Sequence, residues 1–190
     1  MRARSRNAKS MLRRSLVFPL LAVAAATAWA QDPSSNPYAG QQSRSIKALS
    51  EDDIAALLKG AGIGLAKAAE LNGYPGPAHV LALAMQLKLS DQQRQQVQAI
   101  YDQMHERAVS LGTEIVERER ALDQQFAKGE VRSGDVAAET ANIAALQGQL
   151  RSVHLTAHLD TRPILNPDQL TLYQKLRGYS SPSPAHHHHG

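Results

Sequence analysis

Two long runs of heptad-spaced apolar residues constrain the fold of this chain more than any other feature. The first run follows Ser90 and continues without a proline to about Ala127, and the second lies between Ser133 and Pro163. The heptad positions are Val97, Tyr101, Met104, Ala108, Leu111, Ile115, Arg118 and Leu122, then Ile143, Leu146, Leu150, Val153 and Ala157. Steps of three and four residues are typical of two helices packed along their length. Because the connection from Glu130 to Ser133 is short, the sequence predicts an antiparallel helical hairpin.

Shorter helices flank the predicted hairpin. Ser50 followed by three acidic residues is a helix start, and we expect that helix to end near Leu71. A short helix over 77–87 comes next, and a proline-containing cap at Asn166 opens a final helix that ends at Arg177. No stretch alternates with period two, so the predicted fold class is all-α. A hairpin this thin exposes apolar surface unless the short helices or a second copy cover it, so we expect an elongated dimer.

The first 30 residues have the three parts of an export signal. They hold six of the 21 basic residues and none of the 17 acidic ones, an apolar run over 16–26, and small residues around Trp29. The run is shorter than the roughly 20 residues that cross a bilayer. We therefore expect a periplasmic protein with a cleaved signal and no membrane span in the mature chain. Arg13 and Arg14 are compatible with twin-arginine export, but we favour the general secretory route, and translation starts at Met1 or Met11.

Charge and composition exclude several classes of function. Without the leader the net charge changes from +4 to −2, which removes the electrostatic argument for nucleic-acid binding. The chain has no cysteine, so disulfides and thiol chemistry are excluded. Its serines and histidines do not lie in a nucleophile-elbow pattern, and the glycines at 60, 62 and 64 follow no strand, which favours close packing or a hinge over a phosphate loop. We expect neither an enzyme nor an organic cofactor.

The domain boundaries follow from these patterns. We expect a signal peptide over 1–30, a flexible linker over 31–48, a helical domain over 49–178 and a disordered tail over 179–190. The tail contains four consecutive histidines, His186 to His189, which are either a natural metal-capturing sequence or the remnant of a purification tag.

Two short motifs resemble the repeated L-T-x-x-Q motif of a bacterial family. They read Leu89-Ser90-Asp91-Gln92-Gln93 and Leu165-Asn166-Pro167-Asp168-Gln169, with Ser and Asn in the place of Thr. Two such copies, flanking a long hairpin in an exported cysteine-free chain, resemble the Spy/CpxP family of periplasmic stress proteins over residues 78–178. The resemblance implies an elongated all-α dimer without catalytic activity. Its members either hold unfolding proteins without ATP or bind metal ions and report on envelope stress.

Three histidines form the candidate metal site. His154 and His158 are four residues apart on one helical face, and the hairpin register places His105 opposite them. Further ligands or supporting groups are expected among Asp102, Glu106 and Asp160. Neutral imidazoles with a carboxylate suit Zn, Cu or Ni. The alternative is that the three histidines lie on a solvated flank and bind nothing.

Two functions follow from these features. The first is a periplasmic stress protein that binds a divalent transition metal for heavy-metal sensing or resistance. For this function we expect an envelope sensor protein as a partner, besides a second copy of the chain. The second is an ATP-independent periplasmic holdase or refolding chaperone that binds unfolded client proteins. His79 stands apart from the other histidines and is interpreted as a packing or surface residue.

Overall fold

The computed structural model describes residues 36–179, in which six α-helices and no strand are found. The helices are α1 Glu51–Leu58, α2 Lys67–Glu70, α3 Pro77–Ala82, α4 Asp91–Lys128, α5 Ser133–Thr161 and α6 Pro167–Leu176, with short 3-10 helices at Gln41–Ser43 and Arg162–Ile164. The predicted all-α class and long hairpin are confirmed. Within this range no helix combines the length and apolar character needed to cross a membrane. The predicted leader, the start of the linker and the histidine tail lie outside the described residues.

The hairpin is built as its capping residues and apolar spacing predict. Ser90 and Gln93 form a reciprocal capping box at the start of α4, and Gly129 ends the helix at a φ of 69°. At 1.5 Å per residue, the 38 residues of α4 span about 57 Å. The seam is buried on both helices, at Val97, Met104, Ala108 and Ile115 on α4 and at Ile143, Leu146, Leu150, Val153 and Ala157 on α5.

The two L-x-x-x-Q motifs meet in space through their glutamines. Gln93 Nε2 donates to Gln169 Oε1 at 2.8 Å, and Gln169 Nε2 donates to Gln93 Oε1 at 3.1 Å. Each amide also donates to a carbonyl of the neighbouring motif region, Gln93 to Ile164 and Gln169 to Leu87. The helix caps of α4 and α6 are therefore joined into one polar cluster. It lies beside an apolar core of Val80, Ala84, Leu87, Leu89, Val97, Leu165 and Tyr173.

Helix α1 folds back on the middle of the hairpin. A Cβ added at Gly112 of α4 would overlap the carbonyl oxygen of Leu57, so a glycine is needed where these helices approach. The core at this crossing consists of Ile46, Ile54, Leu57, Ala108, Ile115, Val116, Leu146 and Leu150. Ile46 is fully buried, so the packed part of the chain begins earlier than the linker boundary at residue 48 indicates. Apolar surface that a bare hairpin would expose is thus covered within the same chain.

The first helix is shorter than the sequence predicts. It ends at Leu58, and the expected continuation to Leu71 is wrong because Gly60 and Gly64 adopt left-handed backbone conformations, with φ of 61° and 76°. Gly60 also packs closely against Val109 of α4. Similarly, α3 stops at Ala82 and continues as turns rather than as helix to residue 87. Residues 59–79, which we call the cover segment, consequently run along the histidine side of the hairpin.

Candidate metal-binding cleft

A cavity of about 580 Å³ lies between the cover segment and the hairpin. His105 of α4 and His154 and His158 of α5 line it, so the structure brings the three predicted site residues to one cavity. Two residues of the cover segment, Glu70 and His79, line the same space. The cavity is therefore rich in imidazole groups from three helices.

His154 has a buried ring nitrogen without a hydrogen-bond partner. Its side chain is buried, with 4% of the residue exposed, and its Nε2 atom has no hydrogen-bond partner. Gly62 lies against the other side of the ring, where an added Cβ would be 3.5 Å from Nδ1. Burial, together with the nearby His158, lowers the pKa of His154. The ring is thus kept neutral, and a neutral imidazole holds a lone pair that a metal ion can accept.

The other two predicted histidines are held by backbone carbonyls of the cover segment. His105 Nε2 lies 3.1 Å from the carbonyl oxygen of Lys59, and His158 Nδ1 lies 2.7 Å from that of Tyr74. A carbonyl only accepts, so the nitrogen facing it carries the proton. In the neutral rings the lone pairs then lie on Nδ1 of His105 and Nε2 of His158. Metal-ligating histidines are commonly held in this way, with one N–H donated to a carbonyl or carboxylate.

Glu70 supplies the carboxylate of the cleft. It is buried and accepts hydrogen bonds from Tyr173 Oη at 2.6 Å, Arg177 Nε at 3.2 Å and the Gly76 backbone N–H at 3.2 Å. Burial opposes ionisation, but the Tyr173 hydrogen bond, the nearby histidines and the Gly76 N–H outweigh it and lower the pKa of Glu70. The expected carboxylates Asp102, Glu106 and Asp160 do not line this cavity.

The side chains of the cleft do not form a complete coordination sphere for a metal ion. Within residues 36–179, no group of three or more histidine and carboxylate side chains is arranged as a set that holds a metal ion. His154 and His158 are nevertheless 4% and 8% exposed, so the alternative of a solvated flank is wrong for both. The assignment of His105, His154 and His158 as metal ligands stays a prediction.

Comparison with known proteins places the cleft in a family. Residues 55–171, more than half of the chain, match the family described as heavy-metal resistance. This chain belongs to the heavy-metal resistance family. The resemblance to Spy/CpxP proteins is thereby confirmed, and the matched range contains every histidine of the cleft and Glu70. No curated protein and no solved structure matches this family member.

Sequence reasoning missed Glu70. His79, interpreted as a packing or surface residue, is about half exposed and also lines the cleft. Their partners lie far along the chain, since Glu70 bonds to Tyr173 and Arg177 more than 100 residues away. One signal was present: Glu70 is the only acidic residue between Asp53 and Asp91. A lone acid in an apolar, glycine-rich stretch indicates a buried carboxylate with a specific partner.

Proposed function

We propose that this protein serves heavy-metal resistance or sensing in the periplasm by binding a divalent transition metal ion in the cleft. The observation that carries the proposal is the buried, unpartnered Nε2 of His154, in a cavity shared with three other histidines. A buried polar atom without a partner is costly in free energy and calls for an explanation. Family membership supports the same function. The periplasmic location rests on the export signal that the sequence predicts over residues 1–30.

The residues of the cleft fit such an ion. His154 and His158 are one helical turn apart, a spacing that places two imidazoles on one metal ion. We expect both to bind through Nε2 and His105 to bind through Nδ1, with water in an open position. Nitrogen donors of this kind select Zn²⁺, Cu²⁺ or Ni²⁺ over Mg²⁺ and Ca²⁺.

Calorimetric titration with Zn²⁺, Ni²⁺ and Cu²⁺ tests the proposal. The protein used is the mature chain with His186 to His189 replaced by alanine, so that the tail contributes no binding. We expect His154→Phe, which keeps a planar ring in the buried position, to weaken binding at least about tenfold, or 1.4 kcal/mol. Thr156→Ala, at an exposed position on the same helix that does not line the cleft, is the matched control and keeps the affinity. Equal affinities for His154→Phe and the parent protein would overturn the proposal.

A holdase function is the second candidate. It is favoured by large apolar side chains on the surface, among them Met85, Leu71 and Phe126, which are 84%, 62% and 56% exposed. An unfolded client protein would then be the partner, whereas metal sensing calls for an envelope sensor protein. A holdase suppresses aggregation of an unrelated client in the presence of EDTA. Continued aggregation at a molar excess of this protein would exclude that function.

A further inference from the structure

We infer that Glu70 is a positioning residue that fixes the proton of His158 and of His79 on Nδ1, so that Nε2 of both rings serves as a metal donor. His79 thereby joins the histidines expected to bind the ion. This inference rests on the proposed metal-binding function and extends it to Glu70 and His79, which the sequence analysis did not assign to the site.

Glu70 is held rigidly enough to orient other groups. Its Oε1 atom accepts from Tyr173 and Arg177, and its Oε2 atom accepts from the backbone N–H of Gly76. These donors come from α6, from the residue that follows it and from the turn before α3, so the carboxylate joins the cover segment to the C-terminal helix. With three donors on a buried carboxylate, the negative charge has a fixed place in the cleft.

Each oxygen of Glu70 faces one histidine. Oε1 lies 3.6 Å from Nδ1 of His79, and Oε2 lies 3.6 Å from Nδ1 of His158. A negative charge at that distance favours the proton on the nearer ring nitrogen. For His158 the carbonyl of Tyr74 acts in the same direction, and the Gly76 bond to Glu70 holds the turn that presents this carbonyl.

The opposite side of each ring is left for a ligand. Gly76 keeps space beside His158, because an added Cβ would lie 2.7 Å from Nε2. His79 lines the same cavity, and its side chain is about half exposed. One carboxylate therefore prepares two imidazoles as donors, the role that outer carboxylates play at metal sites.

The test combines nitrogen-15 NMR of the histidine side chains without metal and calorimetry with Zn²⁺, both at pH 7.5. The protein is again the mature chain with His186 to His189 replaced by alanine. We expect His158 and His79 in the Nδ1–H form in the parent protein. In Glu70→Gln the Nδ1–H fraction of His79 falls and Zn²⁺ binds about 10- to 100-fold more weakly. His79→Ala weakens Zn²⁺ binding by about tenfold.

Tyr173→Phe is the matched control for Glu70→Gln. It removes one hydrogen bond to the carboxylate but leaves the charge, Arg177 and the Gly76 N–H in place. We expect lower stability, an unchanged proton position and a Zn²⁺ affinity within about twofold of the parent. A purely structural role for Glu70 would instead make the two variants behave alike.

The outcomes separate this inference from the proposed function. If the parent protein binds no metal, the proposed function itself fails. If the parent binds Zn²⁺ and Glu70→Gln alters neither the proton position nor the affinity, only the role of Glu70 is overturned. Should Glu70→Gln not fold, the parent spectrum still decides, because an Nε2–H form of His158 or His79 contradicts the inference.

Discussion

His154 is the residue at which the needs of folding and of binding differ most. Its ring lies among buried side chains, yet its Nε2 atom gains no hydrogen bond from them. A buried polar atom left unpaired costs about 1–3 kcal/mol. A leucine or phenylalanine here would avoid that cost, so the imidazole is better explained by a ligand than by packing.

Stability should decrease as the pH falls below neutral. Burial lowers the pKa of His154 and of His79 from the usual 6.5, so both rings are neutral when folded and take up protons when unfolded. The stability that these neutral rings contribute is fully present above about pH 6.5. It is lost as the pH falls through their lower pKa values in the folded protein. Urea unfolding between pH 7.5 and 5 measures this loss. The lowered pKa of Glu70 affects stability only below about pH 4.5, the usual pKa of the group, and therefore outside the pH range of this measurement.

His154→Phe provides the comparison for this pH dependence. Because it removes one of the two histidines with a lowered pKa, the free energy of unfolding should fall less steeply as the pH decreases than in the parent protein. Thr156→Ala leaves both histidines in place and should keep the parent slope. A parent protein whose stability is constant from pH 7.5 to 5 would contradict this prediction, because it would show that these rings have the same pKa in the folded and the unfolded chain.

At the level of elements, the crossing of α1 and α4 depends on Gly112. An alanine there would collide with the carbonyl of Leu57, and the helices would have to separate. We expect Gly112→Ala to lower the free energy of unfolding by about 1–3 kcal/mol. Gly148→Ala is the control, since this α5 glycine has open space around it and the change should stabilise the helix by about 0.5–1 kcal/mol. Equal effects of the two changes in urea unfolding would contradict the crossing.

The two L-x-x-x-Q motifs should behave as one energetic unit. Gln93 and Gln169 cap different helices but exchange hydrogen bonds with each other. In a double-mutant cycle with Gln93→Ala and Gln169→Ala we expect a coupling of about 0.5–3 kcal/mol. Guanidinium or urea unfolding of the four proteins gives the value. Strictly additive effects would mean that each glutamine acts only on its own helix cap.

Some elements of the fold can be predicted from the local sequence, and others cannot. The caps at Ser50, Ser90 and Asn166 and the hairpin seam use residues a few positions apart, so local patterns were sufficient. Residues 59–71 of the cover segment were predicted as the continuation of the first helix, with a break before the next helix at residue 77. The actual path of the segment depends on glycines with positive φ and on bonds to residues 46 to 107 positions away, such as Lys59 to His105 and Glu70 to Arg177. Apart from the lone acidic residue Glu70, such distant partners leave no local signal, so burial of the cleft could not be predicted.

For the whole molecule, we propose a homodimer formed through the hairpin. A second groove between α4 and α5, opposite the cleft, is lined by Ile100, Gln103, Met104, Arg107, Gln149, Ser152, Val153, Thr156, Ala157 and Asp160. It carries one basic and one acidic side chain, Arg107 and Asp160. In a two-fold arrangement each copy offers its arginine to the aspartate of the other.

Sedimentation equilibrium of variants with exchanged charges at Arg107 and Asp160 tests this dimer. The parent protein should sediment with twice the mass of one chain. Arg107→Asp should weaken association because two acidic groups then face each other, and adding Asp160→Arg should restore it. A monomeric parent protein, or a double variant as weak as the single one, would exclude this interface.

The proposed metal-binding role of the cleft is tested most directly by a crystal structure with zinc, located by its anomalous scattering. The protein should again carry alanine in place of His186 to His189, so that the tail cannot compete. We expect one zinc ion in the cleft, about 2.0–2.1 Å from Nε2 of His154. Zinc found only on the surface or between neighbouring molecules, with His154 Nε2 still unpartnered, would contradict the proposed site.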